Sequence, residues 1–178
     1  MKKNNVIASA LLTGLALLTK SCATIPQGAT VIQSFDQSKY LGTWYEIARL
    51  DHRFERNLQN VTANYTLNEN GTIKVTNRGY KTDTQEWKQA IGKAKPAGKQ
   101  GEGKLKVSFF GPFYGAYNII ALDNEYKYAL VAGNNLDYLW ILSREKTIPE
   151  DVKQQYLEIA KGIGYDISAL IWVTHENQ

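Results

Sequence analysis

From residue 43 onward, apolar and polar residues alternate in short runs broken by turn residues about every ten positions, the pattern of antiparallel strands with one buried face. Runs at 43–49, 61–67, 72–80, 86–94, 104–109, 116–122, 127–132 and 137–143 predict eight strands. The sharpest break is Asn68-Glu69-Asn70-Gly71, whose Asn and Gly residues accept positive φ and close a hairpin. The period then changes. Val152, Tyr156, Ile159, Ala160 and Ile163 recur at helical spacing, Thr147 with Glu150 three residues on offers a capping box, and Gly162 or Gly164 ends the helix. A short last strand is predicted at 171–174. This order of elements is that of an antiparallel sandwich or barrel carrying one helix against the outside of its sheet.

The amino terminus follows a different rule. Met1-Lys2-Lys3 precedes an apolar run from Val6 to Leu18, then Thr19-Lys20-Ser21-Cys22, the layout of an export signal. A run of about 13 residues is short of the roughly 20 that a bilayer-spanning helix needs. Cys22, the only cysteine, stands where a lipoprotein signal peptidase would leave it as the new first residue, acylated and serving as a lipid anchor. Of the three residues before it only Ser21 fits a lipobox, and Ser21-Cys22-Ala23 also fits the small-x-small site of the ordinary signal peptidase, which would release a soluble periplasmic protein. Ala23, where an Asp would favour inner-membrane retention, directs the anchored form to a bacterial outer membrane, facing the periplasm. The expected organisation is a signal peptide at 1–21, a tether at 22–30 with Pro26, Gly28 and no periodicity, and one folded domain at 31–178.

Charge and composition narrow the function. Hydrophobic residues make up 43% of the 178 and charged ones 21%, with eleven tyrosines and four tryptophans, a globular composition rich in strand formers. Three of the 21 basic residues, Lys2, Lys3 and Lys20, fall in the leader, leaving 18 against 17 acidic side chains, so no strong basic field remains to draw nucleic acid. A lone cysteine forms no disulfide within the chain, and the fold relies on its core. The glycine-rich stretch 95–103 lacks the lysine-serine or lysine-threonine ending of a phosphate loop and reads as a solvated turn. His52 beside Asp51 offers an acid–base pair, but no nucleophile is signalled, and His175 lies near the carboxyl end. No metal, cofactor or catalytic set is predicted.

Four blocks carry a resemblance. Tyr40-Leu41-Gly42-Thr43-Trp44-Tyr45-Glu46-Ile47-Ala48-Arg49, Asp51-His52-Arg53-Phe54-Glu55-Arg56, 106–115 and 137–144 resemble, in order, the lipocalin family, and more closely the bacterial lipocalins anchored to the outer membrane. The resemblance implies an all-β fold: an eight-stranded antiparallel up-and-down β-barrel, a C-terminal α-helix and a short ninth strand. Gly42, Trp44 and Arg144 match its structural signature, with the Arg144 guanidinium across the Trp44 indole at the narrow end. Where many relatives read Thr-Asp-Tyr between the sixth and seventh strands this chain reads Asn124-Glu125-Tyr126, which puts a receptor contact there in doubt. The implied function is storage or transport of lipids, fatty acids or lysophospholipids, without catalysis. Some relatives pair, so a homodimer is also implied.

Strand parity then chooses the expected cavity wall. Leu105, Val107 and Phe109 face inward on the fifth strand, and Val61, Ala63, Tyr65 and Leu67 on the second. The sixth and seventh are apolar on both faces; Tyr117, Ile119, Tyr128 and Leu130 are assigned inward. If Arg144 points at Trp44, parity turns Tyr138, Trp140 and Leu142 inward and leaves Leu139 and Ile141 to the helix. Glu46 shares inward parity with Trp44 and Ala48. The expected ligand-binding set is Tyr65, Val107, Phe109, Phe113, Tyr117, Tyr128, Tyr138 and Trp140, under an aromatic mouth of Phe54, Phe110, Phe113, Tyr114 and Leu136. A barrel filled by its own side chains, with that mouth binding a protein partner, is the alternative reading.

Overall fold

The computed structural model of the protein describes residues 25–175. The predicted leader and Cys22 lie outside the described residues. Eight antiparallel strands follow a one-turn helix α1 (Gln37–Tyr40): β1 (Gly42–Arg49), β2 (Leu58–Leu67), β3 (Ile73–Lys81), β4 (Glu86–Pro96), β5 (Lys104–Ser108), β6 (Gly115–Leu122), β7 (Tyr128–Ala132) and β8 (Leu139–Ser143). Each strand pairs with the next, and β1 pairs with both β2 and β8, so the sheet closes into a barrel whose β4–β5 ladder begins only at Lys93. Helix α2 (Glu150–Ile163) and a two-residue β9 (Ile171–Trp172) complete the chain. β9 pairs with Ala48 and Arg49 of β1, and Asn60 N–H donates to the Thr174 carbonyl, so the C-terminal segment fills the place where β1 and β2 diverge.

Closure creates two apolar clusters, one on each face of the sheet. The inner one contains Trp44, Tyr65, Ile73, Val75, Leu105, Ile119, Val131 and Leu142. The outer one joins Ile47, Leu130, Leu139 and Ile141 to Tyr156 and Ala160 of α2. The helix thus covers the β7–β8–β1 side as its apolar spacing requires. Its start differs from the expected capping box: Pro149 is the N-cap and no side chain caps it. Thr147 is held by its carbonyl instead, which accepts from Ser143 Oγ at 2.8 Å. Gly164 ends the helix at φ +107, the left-handed conformation glycine adopts without a Cβ clash.

Two bulges correct the parity argument. The β1–β8 register shifts between Glu46 and Ala48, so Ala48 packs in the outer cluster while Glu46 and Arg49 are buried at 4% and 1% exposure. The β6–β7 register shifts between Ile119 and Ala121. On β7 it is Ala129 and Val131 that belong to the inner cluster; Tyr128 and Leu130 pack on the helix side, and the Tyr156 hydroxyl donates to the Tyr128 carbonyl at 2.8 Å. Leu67, expected inward, is half exposed at the end of β2.

The narrow end is closed by a single cation. Arg144 Cζ lies 3.9 Å above the fully buried Trp44 ring, while Nη1 donates to the Thr43 carbonyl, Nη2 to those of Lys39 and Leu41, and Nε to that of Tyr126. Trp44 Nε1 donates to the Tyr40 carbonyl. Gly42 sits at φ +94, and a Cβ there would stand 3.3 Å from Arg144 Nη1, so glycine is required twice over. Trp44→Ala is expected to cost about 3–5 kcal/mol and to lower the melting temperature by about 10 °C or more. Arg144→Lys, which keeps the charge and loses the planar fork, is expected to cost about 2 kcal/mol in the same thermal denaturation.

Candidate functional site

Because β1 starts at the closed end, the loops 50–57, 82–85, 109–114 and 133–138 surround the opening. Between floor and mouth lies an interior with two chemically distinct levels. Above Trp44, the Tyr117 hydroxyl stands 2.8 Å from that of Tyr40 and 2.9 Å from that of Tyr65. Burial raises all three tyrosines well clear of their usual range, so the cluster stays neutral. Val107, Phe109 and Trp140 pack against the same cluster. Gly92 on β4 makes room for Phe109: a Cβ there would come within 2.8 Å of the Phe109 ring and 2.7 Å of the Ser108 carbonyl.

Nearer the mouth the buried side chains are charged. Arg49 Nη1 donates to Glu46 Oε1 at 2.7 Å, and Nη2 donates to the carbonyls of Glu55 and Leu58. Glu55 Oε2 accepts from Trp140 Nε1 at 3.0 Å and lies 2.9 Å from His52 Nε2. The His52 ring stands 5.7 Å from Tyr138 and 5.3 Å from Trp140, which stack on each other at 6.1 Å. These contacts fold the 50–57 loop inward, with His52 and Glu55 both buried. Arg49 Nε, His52 Nδ1 and Asn77 Oδ1 are among the buried polar atoms without a hydrogen-bond partner among the described residues. Asn77 stands opposite Ala63 in the β2–β3 ladder and therefore shares its inner face.

Of the residues expected to line the cavity, Tyr65, Val107, Phe109, Tyr117 and Trp140 meet in the inner cluster, and Tyr138 joins them through its stack on Trp140. Tyr128 is on the opposite face of the wall, and Phe113 stands in solvent on the 109–114 loop, lining nothing inside. Sequence reasoning missed Tyr40, Arg49, His52, Glu55 and Asn77. Tyr40 and Arg49 had a signal, since they bound the Gly-x-Trp block; the bulge that turns Arg49 inward had none. Two clefts open on the outer surface. One of about 220 Å³ is lined by Tyr45, Asn60, Thr62, Arg78, Trp87, Lys146 and His175, and one of about 670 Å³ lies between residues 34–37 and 96–102 and reaches Leu105.

This architecture has known counterparts. The family described as lipocalin-like domain matches residues 35–175. The chain belongs to the lipocalin-like family. It is 55% identical over 160 residues to the outer membrane lipoprotein Blc of Escherichia coli, covering 89% of this chain and 90% of the relative. It is 45% identical over 162 residues to the protein of that name from Vibrio cholerae, covering 90% and 95%. Among solved structures, insecticyanin from the tobacco hornworm Manduca sexta superposes with a TM-score of 0.69 at 20% identity, over 84% of this chain and 85% of that one, a likeness of fold. The lipocalin barrel is thus shown both by sequence and by shape.

The two buried carboxylates of the upper level titrate in opposite directions. Burial, then the neighbouring charge of Glu55, raises Glu46 well above the ordinary carboxylate value of 4.5, while His52 and Trp140 hold Glu55 below it against its own desolvation. The folded state therefore keeps a proton on Glu46 that the unfolded chain releases, and this contribution to stability falls as pH rises from about 4.5 towards the raised value. Glu55 acts in reverse: its contribution is lost as pH falls through its lowered value. Glu46→Gln, which keeps an acceptor for Arg49, is expected to flatten the loss of melting temperature with rising pH above about 4.5. Glu55→Ala, which strands Trp140 Nε1 and removes the carboxylate beside His52 while leaving the carbonyl that Arg49 donates to, is expected to cost about 2 kcal/mol at neutral pH.

Proposed function

We propose that the barrel binds amphipathic single-chain lipids, fatty acids and lysophospholipids, and stores or carries them at the bacterial outer membrane. The observation that carries this reading is the layered interior. Apolar and aromatic side chains line the lower level, and the buried but unpartnered Arg49 Nε, His52 Nδ1 and Asn77 Oδ1 belong to the polar part of the wall. An acyl chain gains about 0.8 kcal/mol for each methylene that leaves water. A carboxylate or phosphate meets the N–H donor on Arg49, and a glycerol hydroxyl meets the acceptor on Asn77, as does an ammonium. The relatives named outer membrane lipoprotein support the location, and acylation of Cys22 would supply the anchor. No reacting group is assigned: His52 is engaged with Glu55 and two aromatic rings, and the function proposed is binding, not catalysis.

Native mass spectrometry of the protein purified from bacterial cells, titrated with a fatty acid and a lysophospholipid, tests the cargo. Saturable adducts of one lipid per protein, or one per homodimer, are expected; a bare protein that ignores both would favour the alternative of a barrel filled by its own tyrosine and Glu46–Arg49–Glu55 networks. Trp140→Ala and Tyr117→Phe are expected to weaken lipid binding by about tenfold or less each, with the barrel still folded. The mass of the mature amino terminus tests the anchor: an acylated Cys22 is expected, and an unmodified start at Thr24 would exclude it.

A further inference from the structure

Three of the four loops at the open end hold an apolar side chain in water. Phe110 is 70% exposed and Phe113 77% on the 109–114 loop, Phe54 is 57% exposed on the 50–57 loop, and Leu136 is 43% exposed on the 133–138 loop. The fourth, 82–85, reads Thr-Asp-Thr-Gln. Large apolar groups gathered on one rim mark a surface that meets something other than water. Directly behind the 109–114 loop the outer wall is basic. Lys93 stands opposite Ser108, the last residue of β5, and Lys95 stands opposite Lys106. The Tyr114 ring sits beneath both of the latter ammonium groups, at 5.2 and 5.5 Å. Among the described residues none of Lys93, Lys95 and Lys106 forms an ion pair. A further cation, Arg53, lies 4.7 Å over the Phe54 ring on the same rim.

We propose that this rim docks mouth-first onto an anionic lipid bilayer, with Phe110 and Phe113 entering the interface and Lys93, Lys95 and Lys106 resting at the level of the phosphates. The inference rests on the lipid-carrier reading and says where the cargo is exchanged. Aromatic rings favour the boundary between headgroups and acyl chains, and each lysine held near an anionic leaflet strengthens binding about fivefold. The wall is also open on this side. The ladder between β4 and β5 begins only at Lys93, and among the described residues no strand covers the 86–92 edge of β4, where Ile91 is exposed. A docked rim therefore turns both the mouth and this unpaired edge towards the lipid.

The test uses the full chain carrying Cys22→Ser, which removes the acyl anchor and leaves only the rim to bind. Co-sedimentation with vesicles of phosphatidylcholine alone and of phosphatidylcholine with phosphatidylglycerol is expected to show binding to the second, weakened by salt. Phe110→Ser with Phe113→Ser, and separately Lys95→Glu with Lys106→Glu, are expected to reduce that binding by about tenfold or more with an unchanged melting temperature. Equal sedimentation with both vesicles, or variants that bind as the parent does, would overturn the proposal. So would serine variants that lose self-association yet keep vesicle binding, which would assign the rim to a second copy. The two readings fail separately: loss of docking with lipid adducts intact removes only this inference, and docking without any adduct removes only the carrier.

Discussion

The Arg144 guanidinium on Trp44 is the contact on which the rest of the barrel depends. A closed sheet of eight strands has two open ends, and a container needs one of them sealed. One planar cation does this by stacking on the indole while donating to carbonyls on α1, β1 and the turn between β6 and β7. Those segments are up to 105 residues apart in sequence, so the clamp forms only when the whole barrel has closed. It also fixes Tyr40, whose ring lies 4.7 Å from Trp44 and whose hydroxyl begins the buried tyrosine cluster. The floor and the tyrosine cluster above it are a single construction.

The upper level solves a different problem. The 50–57 loop lies outside the strand ladder, so something other than backbone pairing must hold it over the mouth. The Glu46–Arg49–Glu55 group supplies this by tying the 50–57 loop to β1 and, through Trp140, to β8. Buried ion pairs add little net stability, because desolvation offsets most of their attraction, but they are selective about geometry. The two carboxylates have different partners, Arg49 for Glu46 and His52 with Trp140 for Glu55, and burial dominates at the first while the hydrogen-bonding partners prevail at the second, which is why their titrations move apart.

How much of this was legible in the sequence depends on whether a feature is set by local pattern. The eight strands, the late helix and the hairpin at 68–71 follow from alternation, helical spacing and turn chemistry, which are short-range. The floor was legible through Gly42, Trp44 and Arg144. Parity failed where the backbone departs from a period of two: the bulge after Glu46 turned Ala48 out and Arg49 in, and no residue type announces a bulge of that kind. On β7 both faces are apolar, one meeting the chamber and the other α2, so hydrophobicity held no information on which way Tyr128 points. The buried His52 and Glu55 read as loop residues, because their burial is produced by Trp140 and Arg49 from elsewhere in the chain. Residues 37–40 form a helix of one turn, too short to show a period.

The outer wall is asymmetric, and the asymmetry follows from where the helix packs. One amphipathic helix can cover only part of an eight-stranded barrel, and α2 covers the β7–β8–β1 side because Leu130, Leu139 and Ile141 offer it an apolar outer face. The β4–β5 side is left as a single wall, and where the two strands pair its outward positions include Lys93, Lys95, Lys104 and Lys106. The free edge of β4 is guarded in the same way, with Lys88 on the inward-facing parity opposite Gly79. Covering one side thus concentrates positive charge on the other, beside the loop that carries Phe110 and Phe113. The charge that protects an uncovered wall from pairing with another sheet is the charge that an anionic surface recognises, so one arrangement of residues answers both demands.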